Sequence, residues 1–200
     1  RWFLLVPSLD LKDPDLRSAR ERLGPWISEW ESGAERSFQE MSDFQPWIER
    51  LGAETAPSAL LVLSHHSDNR LSFGANGQSL SLNFARSFAR PSLAVLNGCG
   101  TGGPGGAELI RKVNELGMMA VVATSTEVYP KMAGDFMNCL AQVLRDAPGT
   151  TIGTTYFDAL RCLHGKAPQE KGKTYGAHVL AYTLLGNGNL KLCRPRKGDL

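Results

Sequence analysis

This sequence predicts an α/β domain: a mainly parallel sheet flanked by helices on both faces. Three observations carry the prediction. Four runs, 2–6, 59–66, 92–97 and 118–124, are apolar without polar alternation, the pattern of strands buried on both faces. Stretches with helical periodicity stand between them, so strand and helix alternate along the chain. The 200 residues contain no internal repeat and no long linker, so residues 1–200 read as one domain with room for a core.

The elements follow in order. WFLLV (2–6) is a buried strand ended by Pro7. Pro14 to Leu23 is a helix with Asp13 as N-cap. A breaker-rich aromatic loop leads to RSFQEM, read as a short second strand. Ser42 and Gln45 have capping-box spacing, Pro46 fits a first turn and Gly52 a C-terminal cap, so a helix is expected near 43–51. ALLVLSHH (59–66) is a strand ending in two histidines, and LSFGANGQSLSL a hairpin turning at Asn76-Gly77. A short helix is expected over 84–89, then the strand SLAVLN (92–97). Ala107 to Leu116 is a helix with Leu109, Ile110, Val113 and Leu116 on one face and Gly117 past its end. MMAVVAT (118–124) is a buried strand, and helices follow over 131–145 and near 153–163. A charged loop (164–174) leads to a closing strand pair, AHVLAYTLLG and NLKLC.

Composition removes several classes of function. No apolar run reaches the roughly 20 residues that span a bilayer, so no membrane segment is expected. The opening, RWFLLVPSLD, lacks the apolar stretch of a signal peptide. A chain that starts on Arg1 and runs straight into a strand is expected to be a domain excised from a larger protein. A net charge of +2 does not argue for nucleic acid, and Arg194, Arg196 and Lys197 read as a solvated chain end. Cys99, Cys139, Cys162 and Cys193 show no metal-ligand spacing. Without a secretory signal they read as free thiols in a reducing cytoplasm, Cys139 and Cys162 as inert core residues on apolar helical faces.

Glycine is the compositional outlier, and six of the 21 glycines fall between Gly98 and Gly106. Functional groups of parallel sheets gather beyond the carboxyl ends of strands. Two strands end in reactive residues: one at His65 and His66, the other at Cys99. If the strands are neighbours, imidazole and thiol face one crevice, and a histidine can turn the thiol into a thiolate nucleophile. A zinc site from His65, His66 and Cys99 is disfavoured, because adjacent strand residues point to opposite faces. A rival reading stays open. Gly98-Cys99-Gly100-Thr101-Gly102-Gly103 matches GxGxxG between a strand and a helix, with an acidic residue, Glu127, at the end of the next strand. That is the context of a dinucleotide-binding fingerprint, although Pro104-Gly105-Gly106 delays the helix.

At these residues the chain resembles the CHAT domain, a caspase-related cysteine peptidase family. The family's nucleophile motif, typically LSACETG, is similar to Leu96-Asn97-Gly98-Cys99-Gly100-Thr101-Gly102. The caspase histidine motif, SHGEEGIIFGTNG, is similar to SHHSDNRLSFGANG. Counting back from Phe73-Gly74 places His66 on the catalytic histidine without a gap, whereas His65 needs a one-residue insertion. YTLLGNGNLKL resembles the family's closing segment, and AVVATSTEVYP the strand and loop that line the caspase substrate pocket. The resemblance covers roughly residues 57–193.

The resemblance implies a caspase-like sheet and a cysteine endopeptidase acting on a protein substrate, with no cofactor and no metal. His66 would be the base, with His65 as the alternative, and Cys99 the nucleophile. The backbone amides of Ser67 and Cys99 would form the oxyanion hole. Asp68, Thr124, Ser125, Thr126, Glu127 and Val128 would line the substrate site, and an acidic Asp68 or Glu127 there would favour a basic P1 residue. The family also implies regulation by attached sensor or repeat domains, often in bacterial defence. The sequence departs from the pattern at Ser67, a glycine in the family, and at Gly100, often acidic there. Those departures keep open a catalytically silent, caspase-like interaction module.

Overall fold

A computed structural model describes residues 2–7, 17, 21–22, 35–38, 59–67, 70–73, 78–80, 92–166 and 175–192. Its main sheet has six strands: β1 (Trp2–Pro7), β2 (Glu35–Phe38), β3 (Ala59–Leu63), β7 (Ser92–Asn97), β8 (Met118–Thr124) and β9 (Tyr182–Gly186). They lie in the order β2-β1-β3-β7-β8-β9. Every pairing is parallel except β8 with β9. Three short strands, β4 (His65–Ser67), β5 (Arg70–Phe73) and β6 (Gln78–Leu80), form a separate antiparallel sheet. The helices are α1 (Ala107–Glu115), α2 (Pro130–Asp146) and α3 (Ile152–Gly165), with 3₁₀ turns at Pro104–Gly106 and Gly176–Ala181.

The apolar runs of β3, β7 and β8 are buried on both faces, Met119 excepted, as their lack of alternation requires. Leu61, Leu63, Leu93, Val95, Ala120 and Val122 share one core with Met132, Phe136 and Leu140 of α2 and with Ala159 and Leu163 of α3. The intervening Leu60, Val62, Ala94, Leu96, Val121 and Ala123 are buried as well. On α1, Leu109 and Val113 are the buried residues, one helical turn apart. Gly117 follows with φ +89, a left-handed conformation that glycine adopts without a Cβ penalty. Thr151 caps α3, its Oγ1 accepting from the Thr154 amide at 3.2 Å.

Three sequence expectations need correction. The run 59–66 is not one strand: it breaks at Ser64, and β4 turns away to pair with β5, His66 opposite Leu71. The hairpin itself forms, β5 pairing β6 with Phe73 opposite Gln78, and the turn expected at Asn76-Gly77 lies outside the described residues. AHVLA is a 3₁₀ turn, because β8 ends at Thr124, opposite Tyr182, and offers no partner further back. Of NLKLC, residues 189–192 are described; they make a bridge between Lys191 and Thr151, and the Leu190 carbonyl turns to α3. The Ile152 amide donates to Leu190 at 2.8 Å and the Gly153 amide to Gly188 at 2.7 Å, satisfying donors that a helix start leaves open.

The cysteine reading also changes. Cys139 of α2 and Cys162 of α3 form a disulfide, with Cα atoms 5.7 Å apart. Cys139 is a core residue and Cys162 packs partly buried against the core, but they are not free thiols, and the argument from reduced thiols to a reducing compartment falls with them. No helix among the described residues is long and apolar enough to cross a membrane. Arg17, Glu21 and Arg22 are helical, in the span expected for the first helix. Arg22 pairs with buried Asp135 of α2, which also accepts the Tyr175 phenol at 2.6 Å. The helices expected near 43–51 and 84–89, Asp68, Cys193 and the basic tail lie outside the described residues.

Candidate active site

β3 and β7 are direct neighbours, registered from Ala59 opposite Leu93 to Leu63 opposite Asn97. Parallel pairing puts their carboxyl ends side by side. One chain leaves through Ser64 into β4, the other through Gly98 into the Cys99 turn. Gly98 is the close approach between them. A Cβ there would lie 2.5 Å from the Ser64 carbonyl oxygen and 3.4 Å from His66 Cβ, so a larger residue would push the histidine segment off the turn.

His66 Nδ1 lies 2.8 Å from the backbone carbonyl oxygen of Cys99. His66 Nε2 and Ser64 Oγ are buried and have no hydrogen-bond partner among the described residues. His65, the neighbouring residue on β4, is exposed. Cys99 is the free cysteine among the described residues and is partly exposed; its Sγ lies 3.8 Å from the Val128 carbonyl oxygen. The thiol is therefore not hydrogen-bonded to the imidazole. The Cys99 amide has no backbone acceptor among the described residues.

The turn is clamped from beneath. Thr124, fully buried at the end of β8, donates Oγ1 to the Gly98 carbonyl. Thr101, also fully buried, donates Oγ1 to the Leu96 carbonyl at 2.6 Å and lies 3.1 Å from the Thr124 amide, which donates to it. The Gly100 amide donates to the Thr126 carbonyl at 2.9 Å and the Gly102 amide to Thr124 at 2.7 Å. The Gly103 amide returns to Gly100 at 3.0 Å, and the Gly106 amide to Gly103 at 2.9 Å. These bonds speak against the dinucleotide reading, since a phosphate cradle needs such amides aimed at the ligand. Here carbonyls of the same chain occupy them.

The predicted substrate residues divide. Ser125, Thr126 and Glu127 are exposed on the loop after β8, beside the Cys99 turn. Ser125 is tied down: its amide donates to the Ala181 carbonyl at 2.7 Å and its Oγ at 3.1 Å. Val128 is buried and offers its carbonyl to the thiol. Thr124 is a correction: it is a support inside the fold and presents nothing to a substrate. Ser67 lies on β4 opposite Arg70.

Sequence reading missed the layer behind the turn. Asn97, two residues before Cys99, is buried; its Nδ2 donates to the Ala133 carbonyl at 2.8 Å and its Oδ1 accepts the Tyr182 phenol at 3.0 Å. Burial holds the Tyr182 phenol well above its ordinary range, against the opposing effect of the Asn97 bond. Tyr182 also stacks on Phe136, ring centroids 3.7 Å apart. The available signal was a polar residue ending an otherwise apolar strand.

No protein-family model and no curated protein sequence matches the chain. Solved structures do match it. Caspase-1 from Spodoptera frugiperda superposes with a TM-score of 0.59 at 11% identity, over 100% of this chain and 92% of the caspase. The Arg-specific cysteine proteinase gingipain R superposes with a TM-score of 0.60 at 13% identity, over 96% of this chain and 47% of gingipain. The parallel sheet, its antiparallel last strand and these superpositions together establish a caspase-like fold for this chain.

Proposed function

We propose that the chain is a cysteine endopeptidase domain that cleaves a protein substrate with Cys99 and His66. The observation that carries the reading is the seating of the His66 ring on the Cys99 backbone, at the carboxyl ends of two adjacent parallel strands, in the fold of caspase and gingipain. His66 takes the thiol proton and later gives it to the leaving amine. The Cys99 sulfur attacks the scissile carbonyl carbon, the C–N bond breaks, and water releases the acyl group. The amides of Ser67 and Cys99 receive the oxyanion; losing one such donor costs about 3 kcal/mol of transition-state stabilisation.

The exposed Thr126 and Glu127 are the substrate-side residues of this reading. Glu127 would favour a basic P1 side chain, and one structural neighbour is an Arg-specific proteinase. If fluorogenic peptides ending in Arg or Lys are cut no faster than those ending in Asp, that preference is wrong. A CHAT-type role, governed by attached sensor or repeat domains in bacterial defence, fits the motif resemblance.

The test of the mechanism compares wild type, Cys99→Ala, His66→Ala and His65→Ala on casein and a positional fluorogenic peptide library. Cleavage is expected in wild type and His65→Ala. Cleavage retained by Cys99→Ala or His66→Ala overturns the mechanism.

A further inference from the structure

We propose that Tyr182 is a positioning residue of the peptidase site: through the Asn97 side chain it holds Cys99 in register with the loop that faces substrate. The inference rests on the peptidase reading and brings in two residues which that reading does not use.

Leu93 and Val95 of β7 belong to the core, and strand alternation makes Asn97 the next residue on that face. A third apolar side chain would fill this place with no partners to find, whereas a buried amide needs them. Asn97 has two. The Ala133 carbonyl only accepts, so Nδ2 faces it at 2.8 Å, and Oδ1 is left to the Tyr182 phenol, which donates at 3.0 Å. Tyr182 is itself fixed: it is buried, its ring stacks on Phe136, and its carbonyl accepts the Tyr156 phenol at 2.7 Å. Burial above all, with a smaller contribution from charge at Cys99, raises the phenol, so it keeps its donor hydrogen well into the alkaline range.

The main chain of Tyr182 reaches the other half of the site. It stands opposite Thr124, whose hydroxyl holds the Gly98 carbonyl. It follows Ala181, whose carbonyl takes both the amide and the hydroxyl of Ser125. Asn97 stands two residues before Cys99, and Ser125 opens the loop that carries Thr126 and Glu127. One rigid residue therefore connects the strand that presents the sulfur to the loop that would hold the peptide. A scissile carbonyl has to meet the sulfur at roughly 3–3.5 Å, and a misplacement of about 1 Å costs up to a hundredfold in rate.

The test separates placement from stability and from thiol chemistry. Wild type, Tyr182→Phe and the double variant Asn97→Leu/Tyr182→Phe are compared on fluorogenic peptides, with the urea midpoint and the rate of iodoacetamide modification of Cys99 measured alongside. Tyr182→Phe should lower kcat about tenfold or more with KM within about twofold, the mark of an interaction felt in the transition state. Iodoacetamide needs no positioned carbonyl, so its rate at Cys99 should stay within about twofold. The double variant makes both partners apolar, so the urea midpoint should return toward wild type while kcat stays low. An unchanged kcat in Tyr182→Phe overturns the proposal, and so does a kcat that recovers with stability in the double variant. An iodoacetamide rate that falls as far as kcat also overturns it, because the loss is then one of thiol reactivity. Wild type that cleaves no peptide removes the peptidase reading and this one together.

Discussion

Tyr182 donates its phenol hydrogen to the Asn97 side chain across 3.0 Å, joining the last strand of the sheet to the end of the strand that presents Cys99. Asn97 passes the connection to α2 through the Ala133 carbonyl. Three elements are thus tied together two residues behind the candidate nucleophile. Tyr182→Phe keeps the ring stack on Phe136 and leaves Asn97 Oδ1 buried without its donor. The expected cost is about 1–3 kcal/mol. Urea unfolding measures it, and an unchanged midpoint means that the phenol carries no stability.

The glycine-rich loop makes a contrast between two neighbours. A Cβ on Gly106 would lie 2.0 Å from the Thr101 carbonyl oxygen, whereas one on Gly105 meets nothing within 4 Å. Gly106→Ala should destabilise by about 1–3 kcal/mol through forced backbone shifts. Gly105→Ala should stay within about 0.5 kcal/mol. Equal melting temperatures for the two variants would show that the loop does not hold this close packing.

The Cys139–Cys162 bridge closes a loop with a sequence separation of 23. The chain-entropy estimate for such a loop is about 3 kcal/mol. Cys139→Ala should lower the urea midpoint accordingly. In unreduced protein, iodoacetamide under denaturing conditions should modify Cys99 and spare Cys139 and Cys162. Modification of either before reduction contradicts the bridge.

Three tyrosines predict alkaline instability. Burial raises the phenols of Tyr156, Tyr175 and Tyr182 above their ordinary value of 10.0, and the nearby Asp135 carboxylate raises Tyr175 further. The folded state therefore holds protons that the unfolded chain releases. The stabilisation is complete below about pH 10 and is lost as pH rises from there through the folded values. Tyrosinate absorbance should rise together with loss of near-UV dichroism. Full ionisation with the fold intact would contradict the burial.

The strands β7 and β8 and the helices α1 to α3 were legible because each depends on local pattern: an unbroken apolar run, a 3.6-residue period, a glycine past the last turn. The errors share one cause. Residues 59–66 read as one strand because the run is apolar to its end, yet at Ser64 β3 stops and β4 finds a partner in another sheet. AHVLA and NLKL have strand composition, but among the described residues no strand of either sheet lies beside them to pair with. A pairing partner is not encoded in the run itself.

The same division holds at the candidate site. By itself the sequence determined that Cys99 follows one buried strand and His66 follows the apolar run of another, in motifs with a caspase-like look, and that glycines crowd one turn. Tertiary structure alone decided that β3 and β7 are neighbours, that Thr124 is an internal clamp, and that Cys139 bonds to Cys162. It also decided that the amides of the glycine turn bond to the chain's own carbonyls. Motif and periodicity travel along the chain, whereas these contacts join residues distant in sequence and exist only once the sheet has set which strand ends lie side by side.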